Sequence, residues 1–170
     1  RGEGEEVGTR YCIEGGEETL LDDAGCPKGT TLIVRDLFYN TPARMKFLKK
    51  DVTEANAVAS VVEKIAVSHP EISFRFIRDG KQTLITSGNG ELKDAIYSVF
   101  GREFAQSLIP VDYTNNNMRV SGFVTKPSMS RKSRGMQFFF INSRLVKTQT
   151  AMAALEQAYR NSIMVGKYPG

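Results

Sequence analysis

At 170 residues, the chain has the length of one typical domain, with room for at most two small ones. It is 41% hydrophobic and 25% charged, enough apolar content for a buried core, which argues against disorder. No apolar run approaches the roughly 20 residues of a membrane helix, the first ten residues lack an apolar leader core, and Cys12, Cys26 and the single His69 make neither a CxxC pair nor a standard zinc set. A membrane span, secretion, a metal site and a disulfide scaffold are therefore not expected.

The formal charge of +4 hides an asymmetry. Residues 1–26 hold two basic and eight acidic side chains, whereas residues 27–170 hold 21 basic and 11 acidic ones. No Asp or Glu occurs between Asp112 and Glu156, a stretch that carries Arg119, Lys126, Arg131, Lys132, Arg134, Arg144 and Lys147. Seven cations without a neighbouring acid in sequence are an electrostatic footprint for polyanions.

In chain order, Thr9–Ile13 alternates and breaks at Gly15-Gly16, which predicts a strand and a turn. Leu20–Lys28 reads as a loop. Gly29–Leu37, with its β-branched run Thr30-Thr31-Leu32-Ile33-Val34, reads as a strand that would pair with the first one. Pro42 marks a turn, and Met45–Asp51 a short basic helix or loop. Asp51 and Glu54 resemble a helix start, and Val58, Val61, Val62 and Ile65 follow helical spacing up to His69-Pro70.

Ile72, Phe74 and Phe76 alternate with polar residues, and Asp79-Gly80 then predicts a hairpin with Gln82–Thr86. Leu92, Ile96, Val99 and Phe100 line one side of a second helix ending at Gly101. Leu108–Tyr113 and Met118–Val124 read as strands around Asn115-Asn116-Asn117. Lys126–Gly135 is a basic loop. Phe138–Ile141 is apolar on both faces, as a central strand would be, and Met152, Leu155 and Tyr159 mark a last helix. The order implies an α+β fold with a sheet and helices on one face.

No nucleophile, base and acid can be assembled, and no P-loop, GxGxxG or HExxH is present. His69 sits before a proline at a helix end, a capping or surface place. The carboxylates Glu5, Glu6, Glu17, Glu18, Asp22 and Asp23 lie in a Gly-rich stretch and fit a solvated loop as well as a cation site. The catalytic set and the metal set are both expected to be empty.

Residues 29–51, GTTLIVRDLFYNTPARMKFLKKD, carry a longer pattern. A Gly-Thr strand, Asp-Leu-Phe-Tyr-Asn, Thr-Pro-Ala-Arg and Lys-Phe-Leu follow in fixed order, and this segment resembles the signature of the MutL family of DNA mismatch repair proteins. Tyr11, Gly15-Gly16 and Phe140-Ile141-Asn142-Ser143-Arg144 extend the resemblance over the chain, with Ser143 where the family has glycine.

The resemblance implies that residues 1–44 are a two-strand remnant of a GHKL-type ATPase sheet. Residues 45–170 would be a ribosomal-protein-like transducer domain, a mixed sheet with helices on one face, incomplete at its C-terminal end. It implies ATP and Mg2+ as cofactors of the whole protein. Gly29, Thr30 and Thr31 match only the last element of the ATP site. The general-base glutamate, the adenine motif and the lid have no counterpart, and Arg1-Gly2-Glu3-Gly4 lies too close to Gly29 to be that lid. The chain alone is thus expected to be inactive and without a cofactor. Implied partners are DNA, a second copy in an ATP-driven dimer, a MutS-type mismatch sensor and a downstream nuclease or helicase, in a cytoplasmic, nucleoid-associated setting.

Six cations, Lys126, Arg131, Lys132, Arg134, Arg144 and Lys147, are the candidates for non-specific phosphate contacts. An RNA-binding α+β domain of a translation protein and the transducer domain of a type II topoisomerase are the alternatives. The Thr-Pro-Ala-Arg string favours the MutL reading.

Overall fold

The computed structural model describes residues 1–170. It divides into two compact units, Arg1–Asp51 and Val52–Gly170. Every buried hydrophobic side chain belongs to the second unit.

In the first unit, β1 (Gly8–Glu14) pairs antiparallel with β2 (Glu17–Ala24). Gly15 and Gly16 join them at φ 62° and 103°, a conformation that suits glycine. The first predicted strand is present; its partner is not the predicted one. Leu20–Ala24 is strand and not loop, and Gly29–Leu37 forms no strand. A two-residue connection costs little closure entropy, so the nearer segment takes the pairing edge. The 29–37 run is bracketed by Gly29 at φ 120° and Asp36 at φ 48°, and Leu32, Ile33 and Val34 stay 86%, 68% and 64% exposed. Their β propensity has no neighbouring strand to act on. Pro42 opens a single helical turn, α1 (Pro42–Met45), where its fixed φ and missing N–H are tolerated.

The second unit starts with α2 (Asp51–Ser68), whose first residue closes the preceding unit. Its core contacts come from Ala66 and Val67 in the last turn, while Val58, Val61 and Ile65 of the predicted apolar stripe remain exposed. A strand pair follows, β3 (Arg75–Arg78) with β4 (Lys81–Ile85), turning at Asp79 and Gly80 as predicted. The strand expected from Ile72 starts only at Arg75. Before it, the Thr86 N–H still donates to the Phe74 carbonyl at 2.9 Å, but the Phe74 N–H donates to Thr86 Oγ1 at 2.9 Å and Ser73 Oγ to the Thr86 carbonyl at 2.7 Å, so side chains of Thr86 and Ser73 take over the rest of the pairing.

The predicted helix α3 (Leu92–Phe100) ends at Gly101, and a second short helix, α4 (Arg102–Gln106), follows at once. The core is Val67, Ile96 and Phe104, with Leu92, Val99, Phe100, Leu108, Phe123, Met136 and Phe140 packed around it. Phe100 lies 5.2 Å from Phe104 and 5.6 Å from Phe138, ring centre to ring centre.

Strands β5 (Leu108–Asn115) and β6 (Met118–Thr125) pair across Asn116-Asn117. The apolar run near Phe138 gives β7 (Phe139–Ile141), which pairs with a strand not predicted, β8 (Arg144–Val146), across Asn142-Ser143. Helix α5 (Gln149–Ala158) closes the unit, its start capped by Thr148 Oγ1 accepting from the Ala151 N–H.

The α+β class holds. The strands form four separate antiparallel pairs, however, and not one mixed sheet, and β7 is not a central strand. All four pairs close through two residues, of which at least one has positive φ. Each strand therefore meets its sequence neighbour first, and local closure decides the pairing.

Candidate nucleic-acid interface

The end of β6 is the anchor of the site. Thr125 is 1% exposed. Its N–H donates to the Gly170 carbonyl at 2.9 Å, its Oγ1 accepts from the Gly170 N–H at 3.0 Å, and its carbonyl accepts from Tyr159 Oη at 2.5 Å. Three elements, β6, the exit of α5 and the segment 167–170, thus meet on one residue. Tyr159 is itself buried, and burial raises its phenol pKa above the ordinary value.

The basic loop leaves from this anchor. A short 3₁₀ turn, Pro127–Met129, comes first. Arg131 then exchanges two backbone hydrogen bonds of 2.8 Å with Tyr168. Arg134 places Nε and a terminal nitrogen on the two oxygens of Glu156 at 2.5 and 3.0 Å, and its guanidinium lies 4.1 Å from the centre of the Tyr168 ring. Those hydrogen bonds hold the Glu156 carboxyl below its usual range and the Arg134 guanidinium above its own. Gln137 donates from Nε2 to the Pro169 carbonyl at 3.1 Å.

The interval from 113 to 155 is free of acid in sequence, but two of its seven cations are paired in space. Arg134 is held by Glu156 and Arg119 by Asp112, the two acids that bound the interval. The Arg119 pair follows from the hairpin register. Asp112 faces Ser121 and Thr114 faces Arg119, so Asp112 and Arg119 are diagonal neighbours on one face, with bonds of 3.0 and 2.7 Å. These contacts lower the Asp112 pKa and raise that of Arg119.

The other five, Lys126, Arg131, Lys132, Arg144 and Lys147, are exposed, and no carboxylate pairs with their side chains. Lys126, Arg131, Lys132 and Arg134 share the loop; Arg144 opens β8 and Lys147 follows it. Phe138 and Phe140 pack with the core and do not interleave with these cations. Glu156 and Tyr168 escaped the sequence reading because each lies more than 20 residues from Arg134, and only tertiary packing joins them. The Asp112–Arg119 pair could have been read from the symmetry of the strands about Asn116-Asn117.

The remaining candidates lie elsewhere. In the first unit, Gly29, Thr30 and Thr31 are exposed on irregular backbone, where the Gly29 N–H donates to the Arg1 carbonyl at 3.0 Å. His69 follows the last residue of α2, and its Nδ1 sits 2.9 Å from the Glu71 carboxylate. No three His, Cys, Asp or Glu side chains lie close enough together to hold a metal ion, and no helix is long and apolar enough to cross a membrane.

The second unit is thus an α+β scaffold with a basic loop anchored on one strand end. Comparison with known proteins makes the class specific. Residues 96–170 match the family model for the DNA mismatch repair protein, C-terminal domain. The chain is 48% identical, over 163 residues and 96% of its length, to the DNA mismatch repair protein MutL of Agathobacter rectalis, and 42% identical over 168 residues to that of Caldanaerobacter subterraneus. It covers 25% and 28% of those two proteins, so it spans about a quarter of the curated relatives it matches. Among solved structures, the Aquifex aeolicus MutL ATPase domain complexed with ADP superposes with a TM-score of 0.73 at 28% identity, over 90% of this chain and 58% of that one. The N-terminal domain of a DNA repair protein gives a TM-score of 0.77 at 25% identity, over 97% and 55%. The chain belongs to the MutL family of DNA mismatch repair proteins.

Proposed function

We propose that this chain is the transducer region of a MutL-type protein, together with the edge of its ATPase domain, and that it binds duplex DNA through phosphates without reading sequence. The observation that carries this is the set of five exposed cations without a carboxylate partner, Lys126, Arg131, Lys132, Arg144 and Lys147, on a stretch, 113–155, that has no acid of its own. Lysine and arginine heads on a loop supply sequence-independent attraction, and none of the five lies on an α-helix that could present it to base edges.

In the whole protein the unit would relay ATP-driven dimerisation of the N-terminal region to later repair steps, with a MutS-type sensor upstream and a nuclease or helicase downstream. Gly29, Thr30 and Thr31 would form the last element of an ATP site whose other parts, with Mg2+, lie outside this chain. The exposed Leu32, Ile33 and Val34 support that reading, because a strand-prone apolar run of this kind suits the edge of a larger sheet. The setting would be cytoplasmic.

Fluorescence anisotropy with two labelled duplexes of unrelated sequence and a structured RNA tests the assignment. Both duplexes are expected to bind alike and more tightly than the RNA, and a Lys126→Gln, Arg131→Gln, Lys132→Gln variant to lose most of the affinity. Equal binding by that variant, or a preference for the RNA, contradicts the proposal.

A further inference from the structure

We propose that Arg134 is a positioning residue, clamped by Glu156 and Tyr168 so that it fixes the shape of the 126–135 loop and makes no phosphate contact of its own. The consequence for DNA rests on the binding reading above; the geometry does not.

The loop is tied down at three points. At its root, Thr125 bonds Gly170 and Tyr159. In its middle, Arg131 exchanges backbone hydrogen bonds with Tyr168. Near its end, Arg134 forks onto Glu156 and stacks on Tyr168. Two of these three ties end on Tyr168, and the third tie shares the segment that carries it. Arg134 brings α5 and the 167–170 segment into the same arrangement through a single side chain.

A guanidinium with Nε and one terminal nitrogen on a carboxylate and one face over a ring keeps three N–H donors on its two terminal nitrogens, but its charge is already met by Glu156. A phosphate at the remaining end of the guanidinium would meet an arginine whose charge the Glu156 carboxylate already offsets, so it gains far less there than at an unpaired cation. Lys126, Arg131 and Lys132, on the same loop, have heads free of any such partner. The loop thus divides its labour: one arginine holds, and three cations are held out. A lysine at 134 would keep the charge but could neither fork onto both oxygens of Glu156 nor stack as a plane on Tyr168.

The test uses Arg134→Lys and Arg134→Gln in the 170-residue chain, read by amide hydrogen exchange over residues 126–135 and by duplex affinity across a salt series. Both variants are expected to speed exchange in the loop several-fold. Both should weaken binding while leaving the slope of log K against log[salt] unchanged, since no phosphate contact is lost. Two results would overturn the proposal: loop exchange that stays at the wild-type rate in Arg134→Gln, or wild-type affinity in Arg134→Lys alongside a slope shallower by about 0.9 in Arg134→Gln, the signature of one lost phosphate contact. Wild-type chain that fails to bind duplex at all would defeat the DNA-binding reading instead, and the exchange result would then decide the clamp by itself.

Discussion

Replacing Tyr159 with Phe removes one oxygen from the anchor at the end of β6 and changes little else. The phenol donates to the Thr125 carbonyl across 34 residues of sequence, at a site where both groups are buried. A ring of the same size keeps the packing, so the loss is that of the hydrogen bond and of an acceptor that no longer has this donor. That costs about 1–2 kcal/mol. With a urea m-value of about 2 kcal/mol/M, the unfolding midpoint should fall by about 0.5–1 M at unchanged m. The pH dependence supplies a second reading. Burial raises the folded-state pKa of Tyr159 above that of the unfolded chain, so the contribution is complete below the unfolded value, near 10, and is lost as pH rises through the folded one. Wild type should therefore lose stability in alkali more steeply than Tyr159→Phe. A midpoint that does not move on substitution, or an alkaline loss identical in both proteins, would refute the account of this anchor.

Three further substitutions or conditions bear on the fold. Gly88 sits at φ 69°, and a Cβ there would lie 2.5 Å from the Ser73 nitrogen, whereas Gly90 at φ 83° faces open space. Gly88→Ala should destabilise by about 2 kcal/mol more than Gly90→Ala in denaturant unfolding, and equal effects would show that the close approach is wrong. Ser143 turns β7 into β8 at φ 62°; Ser143→Val should cost about 1–3 kcal/mol and Ser143→Gly should cost nothing, as thermal unfolding would show, and a tolerated valine would contradict the turn. Asp112 and Glu156 have folded-state pKa values lowered by their arginines, so their pairs contribute fully above the unfolded values, near 4, and lose that contribution as pH falls through the lowered ones. Stability measured from pH 6 downward should fall across that window, and less so in Glu156→Gln; a profile that the substitution leaves unchanged would remove Glu156 from the explanation.

The helices and hairpins that local chemistry controls were legible in the sequence. Asp79-Gly80 announced its turn, Gly101 its helix end, and Leu92, Ile96, Val99 and Phe100 their shared face. What failed was choice among partners. Gly29–Leu37 is as strand-like as any segment of the chain, yet β2 lies nearer to β1 through Gly15-Gly16 and takes its edge. Phe138–Ile141 is apolar enough for a sheet centre, but Asn142 and Ser143 at φ 49° and 62° fold Arg144–Val146 back onto it.

The candidate interface was legible as a run of cations because charge is additive along a sequence. Its internal pairing was not, because Glu156 and Tyr168 reach Arg134 only once α5 and the 167–170 segment have packed around Thr125. The family, by contrast, was carried by Thr41-Pro42-Ala43-Arg44 and its surroundings, a string whose identity survives whatever backbone it adopts.

The most direct measurement of the central claim is the salt dependence of duplex binding. Five unpaired cations, if each meets one phosphate, give a slope of log K against log[salt] near −4.5, and partial engagement gives a shallower negative value. The account predicts an affinity that falls steeply between roughly 50 and 200 mM salt and a slope that loses about 0.9 for each of Lys126, Arg131, Lys132, Arg144 and Lys147 replaced by Gln. An affinity that stays constant over that range, or a slope indifferent to all five substitutions, would contradict it.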